Sequence, residues 1–215
     1  MHARFHDRHE AGRRLADKLS KYANRPDVLV LALPRGGVPV AYEVAHALNL
    51  PLDVFVVRKI GLPWHEELAM GAIASGGVLL LNQELIDAYG ITPGEVQQVT
   101  VRERRELERR EQKYRGARPF PDLSDKTVLL IDDGLATGST MRVAVEALRK
   151  EGAQRVVVAV PLASPVVCDA FRDIADDIVC AITPEPFHAV GLWYEDFSQT
   201  SDQEVHALLD RARAA

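Results

Sequence analysis

Apolar positions along the chain follow two alternating patterns. Runs that are apolar at nearly every position, over residues 28–33, 52–57, 127–131, 155–161 and 178–182, read as short strands buried on both faces. Between them lie stretches with apolar residues three and four apart, which read as helices over 11–22, with Leu15, Leu19 and Tyr22 on one face, and over 38–48, 139–151 and 165–174. Gly36 and Gly37 separate the first strand from its helix, so 28–57 forms a strand–helix–strand unit. The same alternation returns after residue 127, which predicts an α/β class with a largely parallel twisted sheet flanked by helices. Ligand sites of such sheets lie at the carboxyl ends of their strands.

Other segments are less regular. Residues 78–81 predict a short strand, and 92–115 a highly charged helix. Its mixed signs and i,i+4 pairs, such as Glu106 with Arg110, suit a solvated face better than a nucleic-acid patch. The tail from residue 184 carries an aromatic stretch over 187–197 and then an amphipathic helix.

The length of 215 residues fits a single domain. A formal charge of -5 opposes indiscriminate binding to nucleic acid and leaves room for a local basic pocket that takes a small anion. No apolar run reaches the roughly 18 residues a membrane span needs, and residues 1–10 are polar, so the expected location is cytoplasmic, away from membranes. Cys168 and Cys180 lack metal-ligand spacing. They read as small buried hydrophobes, with no positive case for a disulfide.

The chemistry concentrates at 128–140, where an apolar strand ends in Asp132 and Asp133 and leads through Ala136, Thr137, Gly138, Ser139 and Thr140 into a helix. Loop amides, hydroxyls and a helix N-terminus make a nest for a phosphate monoester. Aspartates repel phosphate but accept hydrogen bonds from vicinal hydroxyls, so acids at one end and the nest at the other describe a ribose 5-phosphate. A second constellation, Arg35-Gly36-Gly37, closes the first strand, with glycines that let backbone amides approach an anion and a planar guanidinium suited to a diphosphate. The pair Arg58-Lys59 follows the second strand. A zinc hydrolase helix is excluded after His65-Glu66, because the position for its second histidine is Ala69.

The run Asp132-Asp133-Gly134-Leu135-Ala136-Thr137-Gly138-Ser139-Thr140 resembles the signature of the type I phosphoribosyltransferases, with a loop closest to adenine phosphoribosyltransferases. The resemblance implies transfer of ribose 5-phosphate from phosphoribosyl pyrophosphate to a nitrogenous base, with release of pyrophosphate. Asp132 and Asp133 would hold the ribose hydroxyls and contribute to a magnesium site, directly or through water, and residues 136–140 would bind the 5-phosphate. Arg35, Gly36, Gly37, Arg58 and Lys59 would bind pyrophosphate, with a cis peptide between Pro34 and Arg35 and a mobile lid over 61–71. A hood mainly over 183–199, to which the N-terminus can contribute, would cover a core of about 25–182. Phe187, His188, Val190 and Trp193 are its candidates for the base. The resemblance also implies a homodimer that pairs near 58–71, where Ile60, Leu62, Trp64, Leu68 and Met70 look like an apolar patch. The alternative from another class is a non-catalytic regulator sensing phosphoribosyl pyrophosphate or a nucleotide.

Overall fold

The computed structural model describes residues 4–214. Helix α1 (Arg8–Lys18) leads to strand β1 (Val28–Ala32), helix α2 (Gly37–Leu48) and strand β2 (Leu52–Val54). Strands β3 (Val57–Leu62), β4 (His65–Ala74) and β5 (Leu79–Leu81) follow, then helices α3 (Gln83–Ala88) and α4 (Pro93–Arg115). The chain continues as β6 (Thr127–Ile131), α5 (Ser139–Lys150), β7 (Arg155–Leu162), α6 (Pro165–Phe171), β8 (Asp177–Ile182) and α7 (Asp202–Ala214). None of the described helices is long and apolar enough to cross a membrane.

Five strands form a parallel sheet in the order β2-β1-β6-β7-β8. Alternation along β1 sends Val28, Val30 and Ala32 into one apolar layer and Leu29 and Leu31 into the other. The first layer holds α1, α2 and α7 residues, and the second holds α5 and α6 residues. Burial on both faces explains why the strands read as unbroken apolar runs. Helix α4 starts with a Thr92–Glu95 capping box and Pro93 in its first turn.

The run 52–57, expected as one strand, divides. Strand β2 ends at Val54, and Ser75, fully buried, exchanges hydrogen bonds with Val56: its Oγ accepts from the Val56 amide at 2.9 Å, and its amide donates to the Val56 carbonyl at 2.9 Å. This clasp turns the chain into a separate antiparallel sheet ordered β3-β4-β5. The lid expected over 61–71 is therefore a paired β-hairpin, with Pro63 and Trp64 at its turn. Its apolar residues turn inward: Ile60, Leu62 and Met70 are buried, Leu68 is half-buried, and Trp64 alone of the five is exposed. The apolar patch inferred from the sequence is thus mostly core.

The reading of the cysteines also needs correction. Cys168 on α6 and Cys180 on β8 are paired as a disulfide. Nothing in their spacing signals it, because the pair meets only where α6 packs on β8.

Candidate active site

Strands β1 and β6 are parallel neighbours, so both end at the same edge of the sheet, and each continues into a loop and a helix there. Asp132 and Asp133 follow the last residue of β6. Leu135 is buried and donates its amide to the Leu162 carbonyl at 2.9 Å, which anchors the middle of the loop. Gly138 then takes a left-handed conformation, φ 72°, where a β-carbon would also lie 2.5 Å from the Phe171 ring. Ala136, Thr137, Ser139 and Thr140 are exposed. The N-terminus of α5 has no side-chain cap and no acid in its first turn, so its amide dipoles open toward solvent. This twelve-residue helix start is suited to a tetrahedral oxyanion.

The loop after β1 lies directly against the acids. The Leu33 amide donates to the Ile131 carbonyl at 2.9 Å, and the Pro34–Arg35 peptide is cis, as the resemblance implied. A β-carbon on Gly36 would collide with Asp133 Oδ2, and one on Gly37 would lie 2.7 Å from the Ile131 carbonyl oxygen and 2.9 Å from Asp132 Cα. Two motifs about a hundred residues apart in sequence therefore interlock only because these positions are glycine. Helix α2 likewise begins without a side-chain cap or an acid in its first turn. Substituting Gly37→Ala forces backbone apart from backbone, and a loss of about 2 kcal/mol in denaturant unfolding is expected.

Among the basic candidates, Arg35 is half-buried in this loop. Arg58 and Lys59 were expected to act together, but neighbours on a strand face opposite ways. Lys59 Nζ comes within 3.5 Å of Ser139 Oγ at the start of α5. Arg58 points to α4 instead, with Nε 3.0 Å and Nη2 2.5 Å from Glu103 Oε2, and Glu103 is buried. Lys59 thus lies at the start of α5, and Arg58 is held against α4.

The segment expected to form the hood meets the N-terminal residues beside the acid loop. The Phe5 amide donates to the Trp193 carbonyl at 2.9 Å, and the Glu195 and Asp196 amides donate to the Phe5 and His6 carbonyls at 2.8 and 2.9 Å. Tyr194 is buried in this layer and donates its hydroxyl to the Asp133 carbonyl at 2.6 Å. Removing that bond with Tyr194→Phe should lower stability by about 1 kcal/mol, read from the unfolding midpoint. Of the base candidates, Phe187, Val190 and Trp193 pack against the cluster of Phe5, Leu162, Ile182 and Tyr194. Val190 also sits beside Gly134 of the acid loop, and His188 is exposed.

The residue that sequence reasoning missed is Arg8. Its Nε donates to Asp133 Oδ2 at 2.9 Å, its Nη1 donates to the Ser198 carbonyl at 2.7 Å, and its guanidinium lies 4.0 Å from the Phe197 ring centre. No spacing signal links two residues 125 positions apart.

Burial pushes the Asp132 carboxyl well above the usual carboxylate range, and the negative charge of Asp133 pushes it further. Asp133 is also raised by burial, and the Arg8 guanidinium opposes that rise. Two acids held close in a half-buried site favour a ligand that offers them hydroxyl hydrogens. The metal that the resemblance implies fits this donor set: magnesium takes one or two carboxylates and fills its shell with substrate phosphate oxygens and water.

Comparison with known families gives one assignment. The model of the phosphoribosyl transferase domain matches residues 3–187. A protein of Mycobacterium tuberculosis strain H37Rv, named "Putative phosphoribosyl transferase Rv0571c", is 45% identical over 208 residues, 97% of this chain and 47% of its own length. The chain thus spans about half the length of the curated relatives it matches. The crystal structure of TT1426 from Thermus thermophilus superimposes with a TM-score of 0.82 at 40% identity, covering 96% of this chain and 97% of that one.

Proposed function

The chain belongs to the phosphoribosyl transferase family, and from that membership we propose that it transfers ribose 5-phosphate from phosphoribosyl pyrophosphate to a nitrogenous base. The nitrogen attacks the anomeric carbon, the bond from that carbon to the diphosphate oxygen breaks, and pyrophosphate leaves with inversion. One observation carries this reading: the Gly36-Gly37 loop lies against the Asp132-Asp133 pair at the edge of the sheet where α2 and α5 begin with no acid in their first turns. An anion at each helix start, with a diol between them, has the charge pattern of that substrate.

In this reading the amides and hydroxyls of 137–140 hold the 5-phosphate, and Asp132 and Asp133 hold the ribose hydroxyls. Arg35, Lys59 and the Gly36 amide neutralise the diphosphate, which lowers the barrier to its departure. Magnesium, when bound, adds charge neutralisation on the leaving group. The hood excludes water, whose attack would waste the activated sugar. A homodimer belongs to the same proposal. Its surface moves from the hairpin core to the exposed side chains of Trp64, Leu81 and Val101, the last two lining a cavity of about 590 Å³ beside α4.

The decisive experiment mixes the protein with magnesium, phosphoribosyl pyrophosphate and a panel of free bases and follows pyrophosphate release. Base-dependent release is expected. Binding of phosphoribosyl pyrophosphate without release for any base would favour a sensor that uses the same site.

A further inference from the structure

Arg8 is a largely buried cation whose hydrogen-bond partners, Asp133 and Ser198, belong to the acid loop and the segment beside it. Its side chain is 11% exposed, and burying a guanidinium is costly unless its donors are matched. The match here is specific: Nε to Asp133 Oδ2, Nη1 to the Ser198 carbonyl, and the flat face over Phe197. Its own position is fixed as well. Arg8 is the first residue of α1, directly after the Asp7 cap, whose Oδ1 accepts from the Glu10 amide at 2.8 Å. The preceding residues, Phe5 and His6, are hydrogen-bonded to the hood.

The effect falls on the carboxylate oxygens. Asp132 Oδ1 accepts the Asp133 amide at 2.8 Å, and Asp133 Oδ2 accepts Arg8. The other two oxygens, one from each acid, accept no hydrogen bond from the described residues. A vicinal diol offers two hydroxyl hydrogens, which matches one free oxygen per acid. Tyr194 holds the Asp133 carbonyl, so the carboxylate can turn only about its side-chain torsions, and Arg8 restrains that turn.

We infer that Arg8 is a positioning residue: it orients Asp133 so that the acid pair presents two free oxygens to a sugar diol, and it ties the hood to that orientation. This role rests on the ribose 5-phosphate reading above. It predicts a selective defect. Without Arg8 the acid pair loses its register toward the diol, while the phosphate nest at 137–140, which Arg8 does not touch, keeps its affinity.

The test titrates the full chain by calorimetry with ribose 5-phosphate and, separately, with inorganic phosphate. Arg8→Gln is expected to weaken ribose 5-phosphate by about tenfold, the effect of one charge-assisted hydrogen bond, and to leave inorganic phosphate unchanged. Arg8→Lys keeps the charge but lacks the planar fork, and should show the same selective loss at about threefold, which keeps the test open if the glutamine variant folds poorly. In a protein that already carries Asp133→Asn, Arg8→Gln should add no further loss for ribose 5-phosphate. Equal loss of both ligands, or no loss of either, would overturn the positioning role. A wild-type protein that binds inorganic phosphate and gains nothing from the attached ribose would overturn the ribose reading beneath it instead.

Discussion

Asp132→Asn is expected to lower phosphoribosyl transfer by at least about 100-fold while raising thermal stability at neutral pH. The loss follows from removing a charge held where the ribose reading puts developing positive charge and hydroxyl donors. The gain follows from the direction of the Asp132 pKa, raised by burial and by the neighbouring Asp133. A carboxyl whose folded pKa lies above its unfolded one binds more protons when folded. Its contribution to stability is therefore full below the unfolded pKa and is lost as pH rises through the folded one. Asparagine cannot ionise and escapes that loss. Melting curves at pH 5 and pH 8 should show the wild type losing more stability between the two than the variant does. A variant that melts lower than wild type at pH 8, or that keeps near-normal turnover, would contradict this account of the acid pair.

The largest effect on stability alone is expected at Arg115. Its side chain is 3% exposed, with Nε 3.1 and 3.3 Å from the two Asp53 oxygens, Nη1 3.1 Å from Glu111 and Nη2 2.8 Å from the Val54 carbonyl. The guanidinium also lies 5.1 Å from the Phe120 ring centre. One side chain thus joins the end of α4 to β2, the edge strand of the parallel sheet. Arg115→Leu leaves Asp53 and Glu111 without their cation and the Val54 carbonyl without its donor. A loss of about 3–5 kcal/mol is expected, the usual cost of breaking a buried pair from one side. Urea unfolding measures it directly. A loss below about 1 kcal/mol would mean that α4 is docked by its apolar face and not by this ion pair.

The parallel core was legible because strands buried on both faces leave short apolar runs rich in β-branched residues, and five such runs are spaced by helical patterns. The acid loop was legible for a related reason, since ligand chemistry there depends on consecutive residues of one turn. The β3–β4 hairpin was not. Its first strand continues the apolar run of β2 with only Phe55 and Val56 between them, and the clasp that separates the two comes from Ser75, far along the chain. Once that division was missed, Arg58 and Lys59 looked like the end of one strand and so like partners, when strand alternation sets them on opposite sides. Arg8 was invisible for a plainer reason. It is one of several charged residues in a polar opening stretch, and what distinguishes it is a partner 125 positions away.

Arg8 and Ser198, joined across the top of the site, are 190 residues apart. Closing so long a loop costs little more free energy than closing one half as long, because the entropic penalty grows only with the logarithm of length. The difference is one of timing. The strands β1, β6, β7 and β8 all leave the exit tunnel before residue 198 does, so a nascent chain can pair the sheet before it can complete the hood. The acid loop then faces solvent with Arg8 tethered on one side only. A chain stalled with β8 just clear of the exit tunnel would carry a paired sheet and an unclosed site, because residue 198 would still lie inside the tunnel, and closure would follow its release.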